Sequence, residues 1–365
     1  MIPMETGYFD IQVNGYGGID FNQDDLSGED LHRACERLRA DGVDAILATI
    51  ITETEERMIA RLRRIVALRE RDELVRSVIA GIHIEGPFIN AADGYRGAHP
   101  ADAVCGANPA MTERLLDAAG GLTRIFTLAP EQDPKCESTR LLAQRGITVS
   151  AGHTNATMEQ LEKSIEAGLS MATHVGNGCP AMLPRHDNII QRLLYLRGHL
   201  WLSFIADGVH IPFHVLRNYL ELIGPGGKCL VTTDAMAAAG LGPGTYRIAR
   251  WNVVVGEDCA ARSPDDSHLI GSAVSMQRVV ENLKQRIGLQ PDAIDLLTKA
   301  RPRFASGLPP SYSGTSPSLS AGGQSVPRRV ESKCTTLRAK TAPFDRRQRT
   351  VGMGHVQRPE SEPPR

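Results

Sequence analysis

The stretch VIAGIHIEGPF, residues 78–88, is a short run of apolar residues that closes on a histidine and a carboxylate. Buried parallel strands have such near-continuous apolar sequences, so residues 78–84 are predicted to form an interior strand. Glu85 follows at the strand end, where a carboxylate needs an ion pair, hydrogen bonds or a metal because burying a free charge is costly. The stretch therefore predicts a buried strand with a polar site at its carboxyl end.

Similar runs alternate with amphipathic segments, such as 30–41 and 53–69, as far as about residue 300. Strands are predicted at 8–14, 45–51, 78–84, 124–129, 148–152, 172–175, 202–206 and 229–233. Eight strand–helix units of this length favour an α/β fold of the (β/α)8 TIM-barrel type over residues 1–300. An open doubly wound sheet is the alternative, because the pattern alone does not separate the two.

Two regions interrupt the alternation. Residues 246–269 have the pattern of a β-hairpin inserted into the barrel. The tail, 301–365, contains 9 of the 22 prolines and no isoleucine, so it is expected to bury too little apolar surface to fold. Disorder and a frameshifted 3′ end are both consistent with this composition.

Composition limits the partners that can be expected. The net charge of -1 gives no electrostatic reason to expect nucleic acid or an anionic membrane. No apolar run is long enough to span a bilayer. Seven scattered cysteines without a CxxC spacing favour reduced thiols, and hence a cytoplasmic location.

Polar residues gather at the predicted strand ends, which is where barrel enzymes build their active sites. Glu85, His153 and His174 form a set of one carboxylate and two imidazoles, which suits a catalytic divalent metal with a position left open for water. Each of them alone could instead be a hydrogen-bonded structural residue. Asp234, at the last strand, is predicted to move protons, with a helix-capping role as its alternative.

Two further residues are candidate substrate anchors. Arg185, in the loop LPRHDN, carries a planar fork suited to phosphate, although a solvated loop charge would look the same in sequence. His210 follows the seventh predicted strand in the segment ADGVH. No Walker loop or dinucleotide-binding glycine pattern is present, so no nucleotide cofactor is expected.

Eight ordered motifs resemble the N-acetylglucosamine-6-phosphate deacetylase family of the amidohydrolase superfamily. They span about residues 7–297 and are QVNGYGGIDFN, HIEGPF, GAHP, SAGHTNAT, ATHVGNG, ADGVH, VTTDAMAAAG and LIGSAVSM. The resemblance implies removal of the acetyl group from N-acetylglucosamine 6-phosphate, which yields glucosamine 6-phosphate and acetate.

The resemblance also implies roles for individual residues. Glu85, His153 and His174 match the metal ligands, Asp234 matches the general acid and base, and His99 matches the histidine that contacts the acetyl carbonyl. The positions that match substrate contacts are Ala98, Asn177, Gly178, Arg185, His210, Leu269, Ile270 and Gly271. Zinc is the expected ion, with iron or cobalt as alternatives, and a homodimer is the expected assembly.

The chain departs from the wider superfamily at its first strand. Gln12 and Asn14 stand where many amidohydrolases carry a histidine pair for a second metal, and neutral amides are poor ligands, so one metal is expected. Family members also pair two flanking segments into a small β-domain. That domain is expected to be missing or truncated, because the chain begins almost at the first barrel strand and its tail replaces the closing segment.

Two other functions fit the same residues. One is an amidohydrolase that acts on a different N-acyl or cyclic amide. The other is a truncated, inactive homologue. Both alternatives would keep the motifs. Neither would release acetate from N-acetylglucosamine 6-phosphate, as the deacetylase function requires.

Overall fold

Eight parallel strands lie side by side in chain order in a computed structural model, which describes residues 7–248, 251–262 and 269–309. They are β1 (Tyr8–Val13), β2 (Val43–Ile51), β3 (Ile79–Glu85), β4 (Thr123–Leu128), β5 (Thr148–Ala151), β6 (Leu169–Ala172), β7 (Trp201–Ile205) and β8 (Cys229–Thr232). Each pairs in parallel with the next, so all eight carboxyl ends lie at one edge of the sheet.

The first and last strands of this sheet also meet. Val13 and Ala235 form a parallel bridge, and the Asn14 amide donates to the Ala235 carbonyl at 2.7 Å. The buried Asp10 carboxylate accepts hydrogen bonds from Thr232 and Thr233 across the same junction. The sheet is thus consistent with the predicted barrel, whose closure depends on contacts between β1 and β8.

Helices alternate with the strands, as the amphipathic segments predict. They are α1 (Gly28–Ala40), α2 (Glu55–Arg71), α3 (Glu73–Val78), α4 (Pro109–Ala118), α5 (Glu137–Gln144), α6 (Met158–Ala167), α7 (Ile189–Tyr195), α8 (Phe213–Ile223), α9 (Met276–Asn282), α10 (Pro291–Asp295) and α11 (Arg301–Ala305). Short 3-10 turns lie at Pro130–Gln132 and Leu196–Gly198, and π-helical turns at Leu283–Ile287 and Leu296–Ala300. Within the described ranges, no helix combines the length and the apolar character needed to cross a bilayer.

Local sequence explains where these helices begin and end. Ser27 caps α1 through a hydrogen bond from the Asp30 amide, and Thr157 with Gln160 forms a capping box at the start of α6. Gly168 ends α6 with a left-handed φ of 118°, a conformation that costs glycine little. The chain therefore turns at Gly168 directly into β6.

The predicted limits of the sixth strand were wrong by three residues. The prediction was 172–175, whereas β6 is Leu169–Ala172. The apolar run begins directly after the Gly168 cap, and the φ of 32° at His174 is incompatible with a strand. His174 therefore lies on the loop beyond the strand end, where its side chain can reach across the edge of the sheet.

The insertion after β8 is larger than the predicted hairpin. Four antiparallel strands pair in order: β9 (Gly244–Ile248), β10 (Trp251–Val255), β11 (Ala260–Arg262) and β12 (Leu269–Ser272). A small apolar core of Val253, Val255 and Ala261 packs on Ala237 and Ala238, which follow β8. The insertion thus rests on the segment that contains Asp234.

The boundary predicted at residue 301 was too early. Arg301–Ala305 continue the final helical region, and Ala305 and Leu308 are buried in a cluster with residues of the strands. The cluster includes Phe9, Ile11, Ala45, Leu47, Ala80, Ile125, Met171 and Leu230. Averaging over the proline-rich tail hid this short helix. The remaining tail, 310–365, lies outside the described residues, as do the terminal segments on which the prediction about the small β-domain depends.

Candidate active site

Three donor atoms converge at the carboxyl ends of β3, β5 and β6. Glu85 Oε1 lies 3.2 Å from His153 Nε2 and 3.0 Å from His174 Nε2, and the two Nε2 atoms are 3.1 Å apart. All three side chains are buried. Ligands about 2.0–2.1 Å from a tetrahedral zinc ion lie about 3.4 Å from one another, so this triangle has nearly the size that such a metal requires.

A hydrogen bond at Nδ1 of His153 favours the tautomer that can bind a metal through Nε2. His153 Nδ1 lies 2.7 Å from the Tyr95 carbonyl, so it must carry the proton and leave the Nε2 lone pair facing the triangle. His174 Nδ1 is buried, and no partner for it is recorded within the described ranges. Two imidazole nitrogens at 3.1 Å with a carboxylate beside them form a set of lone pairs that a cation would satisfy.

Glu85 is held as a carboxylate by its surroundings. Gln12 Nε2 donates to both of its oxygens at 3.1 Å. Burial alone would raise the pKa of Glu85, but hydrogen bonds and charge from His153 and His174 hold that pKa well below its usual range. A buried carboxylate that stays charged is the form that binds a metal.

His99 adjoins the same group. Its ring lies 4.4 Å from that of His153, and one of its nitrogens lies within 4.8 Å of donor atoms on Glu85 and His153. Burial, together with His153, lowers the pKa of His99 to about 3, so the ring is neutral near pH 7. Thr52 Oγ1 contacts His99 Nδ1 at 2.8 Å, which leaves Nε2 for another partner.

Asp234 lies two residues beyond the end of β8 and one residue before the bridging Ala235, with a left-handed φ of 49°. Its Oδ1 accepts a hydrogen bond from Asn14 Nδ2 at 2.8 Å. Burial and the nearby Glu85 charge raise the pKa of Asp234, while His174, His210 and the Asn14 hydrogen bond act in the opposite direction. A carboxyl group with a raised pKa, set beside a candidate metal group, can both accept and donate a proton.

Three candidate site residues share an unusual backbone conformation. His153, His174 and Asp234 have φ values of 51°, 32° and 49°, and they account for three of the five described non-glycine residues with positive φ. Such conformations cost on the order of 1–3 kcal/mol each and concentrate at functional sites. The left-handed turn at each strand end points the side chain across the mouth of the sheet rather than along the strand.

The structure brings two of the candidate substrate residues close to the donor group. The backbone of Asn177 donates to the His174 carbonyl at 2.9 Å, and a Cβ on Gly178 would lie 2.8 Å from His153 Nδ1. With a φ of 60° as well, position 178 requires glycine on both steric and conformational grounds. The Asn177–Gly178 loop therefore covers His153 directly.

His210 is oriented by Asp207. The Asp207 carboxylate binds the ring Nδ1 at 2.5 Å and accepts from the His210 amide at 2.9 Å. His210 Nδ1 therefore carries the proton, and its Nε2 is left as an acceptor for a hydroxyl group. Since His210 also acts on the pKa of Asp234, the two residues belong to one electrostatic site.

The other predicted substrate residues follow strands of the same sheet or belong to the insertion, and none of them is hydrogen-bonded to Glu85, His153 or His174 within the described ranges. Arg185 and Ala98 are exposed, and no hydrogen bond or ion pair of the Arg185 guanidinium is recorded among the described residues. Leu269, Ile270 and Gly271 belong to β12, which is tied to the segment after β8 by the Ala235–Ser272 bridge. Their substrate roles stay predictions.

Several supporting residues were not predicted from sequence. Gln12 and Asn14 were interpreted only as missing ligands, yet they hold Glu85 and Asp234 respectively. Gln12 lies near the end of β1 and Asn14 is the first residue after it, so their position at a strand end was the available signal. His83, on β3, lies within hydrogen-bonding distance of the Ile11 carbonyl at 3.1 Å and of Thr127 Oγ1 at 2.7 Å, and burial lowers its pKa to about 4.

A parallel-strand α/β fold whose strand ends gather a carboxylate, two imidazoles and a second carboxyl group has the arrangement of a metal-dependent hydrolase.

Comparisons with known proteins define this class of hydrolase more narrowly. No family model matches the chain. A curated N-acetylglucosamine-6-phosphate deacetylase from Bacillus subtilis is 32% identical over 282 residues, covering 76% of this chain and 69% of that protein. The deacetylase of Bos taurus is 32% identical over 296 residues, covering 78% and 70%.

Solved structures agree with the sequence relatives. A variant of the Mycobacterium smegmatis N-acetyl-D-glucosamine-6-phosphate deacetylase, in complex with N-acetyl-D-glucosamine-6-phosphate, has a TM-score of 0.73 at 29% identity. That match covers 83% of this chain and 78% of the other. The Thermotoga maritima deacetylase has a TM-score of 0.70 at 26% identity, covering 83% and 78%. The chain belongs to the N-acetylglucosamine-6-phosphate deacetylase family.

Proposed function

We propose that this protein hydrolyses the N-acetyl group of N-acetylglucosamine 6-phosphate to glucosamine 6-phosphate and acetate. The observation that carries this proposal is the convergence of Glu85, His153 and His174, with Asp234 coupled to them, in a member of a deacetylase family. Amide hydrolysis needs an activated water and a group that moves a proton to the leaving amine. This set of residues supplies both requirements.

Glu85, His153 and His174 would hold one divalent metal, for which we propose zinc, with iron or cobalt as alternatives. When bound, such an ion lowers the pKa of water and polarises the amide carbonyl. A single ion is proposed because Gln12 presents its amide NH2 group to Glu85 at 3.1 Å. An NH2 group is a donor, so the end of Gln12 that faces Glu85 holds that carboxylate and offers no lone pair to a second cation beside it.

Asp234 would take a proton from the attacking water and deliver it to the amine nitrogen as the C–N bond breaks. Asn14 fixes one carboxylate oxygen at 2.8 Å and leaves the other to carry the proton. His99 would contact the acetyl carbonyl. The Thr52 hydroxyl has one hydrogen and two acceptors within reach, the Glu85 carbonyl at 3.3 Å and His99 Nδ1 at 2.8 Å; when it donates to Nδ1, the neutral ring presents Nε2–H to that oxygen.

Substrate binding is proposed for the residues that surround this chemistry. Arg185 would bind the phosphate, because its exposed guanidinium offers a planar fork of donors. His210 would accept a hydrogen bond from a sugar hydroxyl through Nε2. The other proposed contacts are Ala98, Asn177, Gly178, Leu269, Ile270 and Gly271.

The closure of the barrel, the compartment and the assembly of the protein are proposed as well. A closed (β/α)8 barrel is supported by the bridge between Val13 and Ala235. Reducing conditions, as in the cytoplasm, fit the six described cysteines, which are all free. A homodimer is proposed from the family resemblance, and size-exclusion chromatography with light scattering would test it.

The deciding experiment measures acetate release from N-acetylglucosamine with and without the 6-phosphate, using metal-loaded protein. Arg185→Ala should raise KM for the phosphorylated sugar at least tenfold and leave the unphosphorylated sugar unchanged. Arg63→Ala, an exposed arginine on α2, is the matched control. No release from either sugar would overturn the deacetylase proposal, and release from another N-acyl or cyclic amide would favour the alternative hydrolase.

A further inference from the structure

A buried carboxylate lies at the junction between β1 and β8. Asp10 is only 2% exposed, and no cation contacts it among the hydrogen bonds and ion pairs of the described residues. Its Oδ1 accepts from Thr232 Oγ1 at 2.6 Å, and its Oδ2 accepts from Thr233 Oγ1 at 2.5 Å. The Thr233 amide donates to both oxygens at 3.3 Å. Asp10 therefore fixes both the backbone and the hydroxyl of Thr233.

The Thr233 hydroxyl has a second contact that the Thr232 hydroxyl lacks. Thr233 Oγ1 accepts a hydrogen bond from the Ala235 amide at 3.1 Å. This bond runs from residue i+2 back to the hydroxyl of residue i, so it spans Asp234 and closes a turn around it. Because Oγ1 donates to Asp10 and accepts from Ala235, the turn is anchored to the first strand.

The turn encloses the one residue whose backbone is strained at this strand end. Asp234 has a φ of 49°, a region that non-glycine residues seldom occupy. The Ala235 peptide is further held by its bridges to Val13 on β1 and Ser272 on β12. The Thr233 bond is thus the contact that joins the residue before Asp234 to the residue after it.

We propose that Thr233, anchored by Asp10, is a positioning residue that holds Asp234 in the left-handed conformation its proton transfers require. This inference rests on the proposed function, in which Asp234 is the acid and base. The hydroxyl acts through the backbone, because its recorded contacts are the Asp10 carboxylate and the Ala235 amide and not a candidate metal ligand. Its removal should slow proton transfer while leaving substrate binding and metal binding intact.

The test compares two buried threonines that both bind Asp10. Thr233→Val removes the hydroxyl and the turn around Asp234, whereas Thr232→Val removes an Asp10 contact of similar length and leaves the turn. Thr233→Ser restores the hydroxyl. In zinc-loaded protein we expect kcat to fall about 10- to 100-fold in Thr233→Val, since misplacing a catalytic group by about 1 Å costs about that much. KM and bound zinc should stay within twofold of wild type.

Thr232→Val and Thr233→Ser should keep kcat within about threefold of wild type, although Thr232→Val should lower the melting temperature as much as Thr233→Val. Equal losses of kcat in both valine variants, or a kcat in Thr233→Val within threefold of wild type, would overturn the proposal. Should Thr233→Val not fold, Thr233→Ala is judged by the same limits.

A crystallographic comparison separates this inference from the deacetylase proposal. The backbone φ of Asp234 should stay near 49° in Thr232→Val and Thr233→Ser and leave the left-handed region in Thr233→Val. If wild-type protein released no acetate, the proposed function would fail, and the φ of Asp234 would still decide the role of Thr233. An unchanged φ in Thr233→Val refutes that role.

Discussion

Gly178→Ala should weaken metal binding through His153. A methyl group at position 178 would lie 2.8 Å from His153 Nδ1, closer than real Cβ atoms approach, and 3.1 Å from the ring carbons Cγ and Cε1, which is tighter than most real Cβ contacts. The ring cannot move away freely, because Nδ1 bonds the Tyr95 carbonyl at 2.7 Å and Nε2 belongs to the donor triangle. The methyl group must therefore either lengthen the hydrogen bond between His153 and Tyr95 or displace Nε2 from the donor triangle.

The expected loss of stability has two parts, one from the backbone conformation and one from the weaker metal binding. Alanine at a φ of 60° costs about 1–2 kcal/mol in any context. Disturbing the partner of a ligating histidine typically lowers metal affinity about 10- to 100-fold. By mass action, a tenfold rise in Kd removes about 1.4 kcal/mol of stability from the metal-saturated protein. A 10- to 100-fold rise in Kd is thus about 1.4–2.8 kcal/mol, so the metal-saturated variant should lose about 2.5–5 kcal/mol and the metal-free variant only about 1–2 kcal/mol.

Gly176→Ala is the matched control for this change. It lies on the same loop with a φ of 95°, but a Cβ there would meet no atom within 4 Å. Zinc affinity from chelator competition, and thermal melts with and without EDTA, measure both parts. The reasoning would be refuted if the two variants lost the same zinc affinity, or if Gly178→Ala destabilised the metal-free protein as much as the metal-saturated protein.

Four further outcomes are expected. Asp234→Asn should lower kcat at least 10³-fold with zinc content unchanged, measured as acetate release beside metal analysis. Chelation should abolish release and lower the melting temperature, and zinc should restore both. Because His83 is neutral in the folded protein, the free energy of unfolding of the metal-free protein should fall by up to about 3 kcal/mol as pH falls from about 6.5 to about 4. Denaturant titrations should show a smaller fall in His83→Gln. A chain ending at residue 300 should melt well below one ending at 309, since Leu308 alone contributes about 1.5–3 kcal/mol.

The sign of the His83 effect follows from its environment. Burial lowers the pKa of His83 from 6.5 to about 4, so the unfolded chain binds the proton first and stability falls with pH in that window. Asp10 acts in the opposite direction, because burial raises its pKa from 3.8 to about 6 and its contribution to stability is lost as pH rises through that range. Comparing His83→Gln with wild type cancels the Asp10 effect. Equal pH dependence in the two proteins would contradict the assignment to His83.

The strand ends were predictable because two simple patterns coincide there. An apolar β-branched run predicts a buried strand, and the first polar residue after it predicts the functional edge. Glu85 follows both patterns, as it is the last residue of β3. His174 follows only the second pattern. The apolar residues around it predicted a strand at 172–175, whereas β6 is Leu169–Ala172. The sequence thus placed His174 beside the strand end although it gave the wrong limits for the strand.

What could not be predicted is how the strand ends are held. Gln12 binds Glu85 across 73 positions of sequence, and Asn14 binds Asp234 across 220. Such contacts depend on which strands become neighbours and on which face each side chain lies. The helix at 301–305 was missed for a related reason: its burial comes from the strand cluster around Phe9 and not from its own composition.

The left-handed backbone of the three site residues is supported in a common way. Glycine would adopt these φ angles without strain, but it carries no side chain that could bind a metal or a proton. Each strained residue is instead held by hydrogen bonds at its own or a flanking peptide: Asn90 binds the His153 carbonyl at 2.9 Å, and Ser203 binds the His174 amide at 2.8 Å. Thr233 binds the Ala235 amide beyond Asp234. Two of these three contacts use a hydroxyl side chain, that of Ser203 within β7 and that of Thr233 just beyond β8, so the backbone at His174 and Asp234 depends on side chains that carry none of the proposed chemistry themselves.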